Sequence, residues 1–76
     1  MTLSELSLNQ KARIIGFDSY DSILETRLRE IGFAEGDQVI VLHFGPFGKN
    51  PMSIKLNGAL IALRRGEAQA IIVEII

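Results

Sequence analysis

Met52-Ser53-Ile54-Lys55-Leu56-Asn57-Gly58-Ala59-Leu60-Ile61-Ala62-Leu63 is the stretch that decides the fold. Met52, Ile54 and Leu56 alternate with Ser53 and Lys55, which is the period of a half-buried strand. Asn57-Gly58 then supplies two residues that tolerate positive φ, as a type I′ hairpin turn requires. Ala59 to Leu63 returns as the partner strand. Upstream, Gly45-Pro46-Phe47-Gly48-Lys49-Asn50-Pro51 cannot extend a ladder, because proline lacks the backbone donor and glycine loosens the chain. Before that loop, Gln38 to Phe44 is rich in β-formers: Val39, Ile40, Val41 and Leu42.

Further out, Lys11 to Phe17 alternates, with Ala12, Ile14 and Gly16 on one face and Arg13, Ile15 and Phe17 on the other. Ile71 to Ile76 reads as a closing strand. Ser22 to Ile31 is the strongest helix, with Tyr20, Leu24, Leu28 and Ile31 at helical spacing and Ile23 beside them. Ser22 with Glu25 forms one candidate capping box, and Asp21 is the rival cap. Gly32 stands where a left-handed residue ends a helix, and Phe33 is expected to pack back. Thr2-Leu3-Ser4-Glu5 fits a capping box over a helical turn that docks Leu3, Leu6 and Leu8 on the core. Arg64 to Gln69 reads as another single turn. The expectation is one domain over residues 1–76, mainly β with a covering helix. About five strands form a small, strongly curved antiparallel barrel whose rolling-up hides most of the exposed edge.

Composition bounds the function. The chain has 76 residues, 47% of them hydrophobic, so it collapses around a core. Its net charge of −1 gives no overall drive toward nucleic acid. The absence of cysteine excludes a disulfide framework, a thiolate metal site and a thiol nucleophile. The longest unbroken apolar run is Ala59 to Leu63, against the ~20 residues of a membrane helix. No direct membrane insertion is therefore expected. The N-terminus lacks a basic start and a long apolar stretch, so the default compartment is the cytoplasm. A ~60-residue domain buries only ~60% of the surface its unfolded chain exposes. Such a domain is better suited to binding than to holding a strained catalytic constellation, and no enzyme is expected.

Little in the chain carries chemistry. His43 is the one histidine and lies among apolar β-formers. It is a weak candidate metal ligand, because a stable site needs three or four donors. The carboxylates are scattered, and Asp21 is explained by helix-start chemistry. Arg64-Arg65 is the one adjacent basic pair and reads as a solvated corner or as a contact for an anionic partner. A single-strand nucleic-acid platform wants aromatics in a positive groove, and Phe44 and Phe47 have only Lys49 beside them. Gly45 to Lys49 lacks the first glycine and the following Ser or Thr of a phosphate loop. What remains is the proline-held loop itself, with Pro46, Phe47 and Lys49 as candidate partner contacts. Either Phe47 folds down onto the barrel end, or it is presented to a partner at low ordering cost.

Taken in order, these residues resemble the ferrous iron transport protein A (FeoA) family. The resemblance rests on Met1-Thr2-Leu3-Ser4-Glu5-Leu6, Ala12-Arg13-Ile14 and Arg27-Leu28-Arg29-Glu30-Ile31-Gly32-Phe33 with Glu35-Gly36. It continues through Pro46, Gly48 and Pro51, then Asn57-Gly58 with Ala59 to Arg64, then Glu67-Ala68 and Ile72-Val73. The resemblance implies an SH3-like barrel and a non-enzymatic, cytosolic accessory protein of bacterial ferrous iron uptake. It implies contact with the membrane ferrous iron permease (FeoB) and its G-protein domain. Arg27 and Arg29, on the outer helix face, are added as steering residues for that contact. No cofactor is expected, although the family is associated with transition metals. A metal-binding or metal-sensing barrel is the first alternative and a nucleic-acid-binding barrel the second. A homo-oligomer through Glu74 and Ile76 stays open.

Overall fold

A computed structural model describes residues 1–18 and 21–76. After a short 3-10 turn at Leu3–Glu5, the elements are β1 (Lys11–Phe17), α1 (Ser22–Ile31), β2 (Gln38–Phe44) and β3 (Met52–Leu56), followed by β4 (Ala59–Leu63), α2 (Arg65–Ala68) and β5 (Ile71–Ile75). The hairpin that anchors the prediction forms as expected. Asn57 and Gly58 take φ of 49° and 84°, and the register runs from Leu56↔Ala59 to Met52↔Leu63. The five strands make one sheet in the order β4–β3–β2–β1–β5, with every neighbouring pair antiparallel. Register shifts between Ile14 and Gly16 and between Val41 and His43 insert bulges. Bulges bend strands and raise their twist, so the sheet curls around a single core.

Ala12, Ile14, Val39, Val41, Met52, Ile54, Leu56, Leu63, Ile71 and Val73 face that core from the strands. Leu3, Leu6, Leu28, Phe33 and Ala68 complete it. No polar or charged residue is buried among the described residues. Leu8 departs from expectation and is 51% exposed. The chain turns at Asn9, φ 62°, whose N–H donates to the Val41 carbonyl at 2.7 Å, and this carries Leu8 past the core.

The helix buries a narrower face than its spacing predicts. Leu28 is buried and Leu24 partly so, whereas Ile31 is exposed and Ile23 is 73% exposed. A ten-residue helix laid on a small curved sheet meets it along one row, so a wide apolar stripe cannot all be covered. Tyr20, assigned to the same stripe, lies outside the described residues. Asp21 is the cap: its carboxylate accepts from the Ile23 and Leu24 amides at 3.1 and 3.0 Å, while Ser22 is the first helical residue. Gly32, at φ 130°, closes the helix, and the Phe33 amide donates to the Leu28 carbonyl at 3.1 Å.

The two flanks of the sheet differ. Beyond β5, Thr2 bridges Ile72 and the Val73 amide donates to the Met1 carbonyl at 2.8 Å. Beyond β4, no strand pairs among the described residues. Among the described residues the edge is therefore covered at Ile72 and Val73 on one flank and open on the other.

Candidate docking site

The Gly45–Pro51 loop is a built structure. The Gly45 amide donates to the Pro51 carbonyl at 2.7 Å, and Phe47 and Asn50 exchange backbone bonds at 3.2 Å each way. Lys49, at φ 67°, turns its ammonium to 5.1 Å from the centre of the Phe44 ring, a cation–π contact. Asn50 Oδ1 accepts from the Arg65 amide at 2.7 Å, which ties the loop to the start of α2. A Cβ at Gly45 would sit 2.2 Å from the Asn50 carbonyl oxygen, so the two ends of the loop approach as closely as only glycine allows.

On this support Phe47 is 80% exposed. The ring does not fold down onto the barrel end; it stands out beside a cleft of about 310 Å³ lined by Phe47, Asn50, Pro51 and Arg64. Pro46 is exposed next to it. A larger trough of about 440 Å³ lies on the outer sheet face, but Lys11, Asp37 and Lys55 line it with mixed charge and no aromatic ring.

The other residues singled out from sequence lie elsewhere. Arg29 donates to both Glu35 oxygens at 2.8 and 3.0 Å and to Glu25 at 3.1 Å, and its guanidinium lies 4.4 Å from the centre of the Phe17 ring. The hydrogen bonds from Arg29 hold the Glu35 carboxyl down to about 2 and push the guanidinium up. Arg29 is thus engaged in fastening the end of α1 to the following turn. Arg27 is exposed one turn from Glu30 and Ile31. No hydrogen bond or ion pair joins either arginine to the loop among the described residues.

His43 is exposed on β2, opposite Ser53 at the bulge. No group of three or more His, Cys, Asp or Glu side chains converges among the described residues. One chain's described residues therefore do not fit a closed metal site. Among the described residues no helix is long and apolar enough to cross a membrane.

The site also has a charge pattern that no short motif carries. From Gln38 to Gly66 the chain carries Lys49, Lys55, Arg64 and Arg65 and no Asp or Glu, so all nine carboxylates lie outside that segment. The segment spans β2, β3, β4 and the Phe47 loop, so the β4 flank of the sheet is its positive half. The signal was present in the charge pattern and needed the strand order to become a surface.

Comparison with known proteins agrees with this architecture. Residues 1–75 match the FeoA domain family. A Helicobacter pylori protein named as an Fe(2+) transport protein A is 34% identical over 74 residues, covering 97% of this chain and 96% of the relative. The crystal structure of Stenotrophomonas maltophilia FeoA complexed with zinc, an SH3 domain protein, superposes with a TM-score of 0.85 at 34% identity. That match covers 97% of this chain and 89% of the other. The NMR structure of a FeoA-like protein from Clostridium acetobutylicum superposes with a TM-score of 0.91 at 25% identity, over all of this chain and 86% of that one. The curled five-stranded sheet is thus an SH3-like fold, as the resemblance implied.

Proposed function

The chain belongs to the FeoA family, whose members are accessories of ferrous iron transport, and from that premise we propose that it works by docking on the cytosolic part of the membrane ferrous iron permease. The supporting observation is Phe47, 80% exposed on a loop fastened at both ends and at its middle. An exposed aromatic on a mobile loop would lose entropy on binding; on a braced loop that loss is already met by folding. Aromatic anchors beside clefts carry much of the energy of interfaces, and the cleft shared with Pro51 and Arg64 is where a partner side chain fits. Docking without bond-making biases the partner between states to the extent that it binds one state better.

The test is titration of the isolated cytosolic part of the permease with this chain and with Phe47→Ala. The substitution should raise Kd by about tenfold or more. Melting should stay within about 0.5 kcal/mol of the parent, because the side chain touches little of the core. Unchanged affinity would remove the proposal, and a collapse in stability would mark Phe47 as a packing residue.

A further inference from the structure

The open edge of β4 points to a second half of this site. Its hairpin closes through a two-residue turn, so the flanking pair Leu56↔Ala59 exchanges both backbone bonds. Alternation then makes Ile54↔Ile61 and Met52↔Leu63 bonded pairs as well. The intervening residues, Leu60 and Ala62, aim their N–H and C=O groups away from β3. Nothing among the described residues pairs with that side. Natural edge strands are usually blunted by a charge, a proline or a bulge. Ala59 to Leu63 contains none of these; its β3 register is unbroken and Leu60 is 74% exposed.

We infer that β4 receives an extended, acidic segment of a partner protein by strand addition, with Leu60 and Ala62 supplying the backbone bonds. Charge selects the occupant. Lys55 faces Leu60 across the hairpin, Arg64 and Arg65 stand at the end of β4, and no carboxylate occurs between Gln38 and Gly66. Glu67, next in the chain, turns its carboxylate onto the Arg64 amide at 2.9 Å, which leaves the two guanidinium groups in excess at that end. A second copy would bring that same positive half against itself, whereas an acidic strand meets Lys55 beside Leu60 and Arg64 and Arg65 at the end of β4. The strand leads into the cleft between Phe47 and Arg64, which is placed to accept an apolar side chain from the incoming segment. Main-chain bonds supply affinity and the cleft supplies selectivity, as in other strand-addition complexes. The inference rests on the reading that this end of the molecule docks on a protein, but not on which protein.

The experiment uses the full chain, ¹⁵N-labelled, and two end-blocked ten-residue peptides, one alternating valine with glutamate and one alternating valine with lysine. The acidic peptide should shift the Leu60 and Ala62 amide signals saturably and slow their hydrogen exchange by about tenfold or more. The Ile61 amide, already bonded to Ile54, should change little, and the basic peptide should do neither. Ala62→Pro keeps every β3–β4 bond but removes one outward donor and puts a ring on the edge. It should abolish the response while leaving melting unchanged. Equal shifts with both peptides, no shift with either, or a response that survives Ala62→Pro would each overturn the inference. Concentration-dependent protection of Leu60 and Ala62 without peptide would also overturn it, in favour of self-pairing. Failure here with Phe47-dependent permease binding intact would leave the docking proposal standing.

Discussion

At the scale of single residues, the molecule depends on positions where one atom more or less matters. Gly45 is the sharpest, since a Cβ there meets backbone atoms of Asn50 and Pro51 at 2.2 to 2.6 Å. Backbone cannot step aside as a flexible side chain can. Gly45→Ala should therefore displace the loop and cost about 1–3 kcal/mol, the range for overpacking. Chemical denaturation measures this, and loss of the Asn50–Arg65 amide protection would locate it. Glu35 makes a different prediction. Its carboxyl is held down to about 2, below the ordinary 4.5, by the Arg29 hydrogen bonds. A depressed acid stabilises the fold above its unfolded value, and that contribution fades as pH falls through the folded value. Glu35→Gln should thus lower the urea midpoint above about pH 4.5 and converge with the parent near pH 2, with a small effect because the pair is on the surface. Asn57-Gly58 was legible in sequence because both residues declare a positive φ. The Phe47 brace was not, because its key acceptor, Asn50, finds its donor fifteen residues away.

Among elements, α1 is held more lightly than its length suggests. Leu28 alone is fully buried from it, which is worth about 1.5–3 kcal/mol of transfer free energy. Leu28→Ala should remove about 2–5 kcal/mol once the cavity is counted. In so small a domain that approaches the whole margin of stability. Thermal melting followed by circular dichroism is the check, and a loss under 1 kcal/mol would mean that the helix is held elsewhere. Helical spacing in the sequence located α1 correctly but overstated its buried face. Periodicity reports which residues could be covered; the curvature of the sheet decides how many are. The strand β3 and the ends of α1 were legible, since the alternation of the one and the cap-to-glycine punctuation of the other are local patterns. The fate of Leu8 depended on the Asn9–Val41 bond across the sheet, which no local pattern encodes.

For the whole molecule, the charges separate along the sheet, with the Gln38–Gly66 half positive and all nine carboxylates in the rest. Association with an acidic partner should slow several-fold between low and physiological salt, while dissociation changes little. Stopped-flow or surface binding at two ionic strengths would read this, and salt-independent association would exclude steering by that half. The two unlike flanks carry a further consequence. Strand-to-strand assembly that finds receptive borders on both sides of a unit propagates without limit, as open heterologous contacts do. Here the first two residues occupy one border, through the Thr2–Ile72 bridge and the Met1–Val73 bond. Among the described residues β4 carries no such cover, so strand addition is directed to that border, while Met1 and Thr2 obstruct runaway growth across Ile72 and Val73.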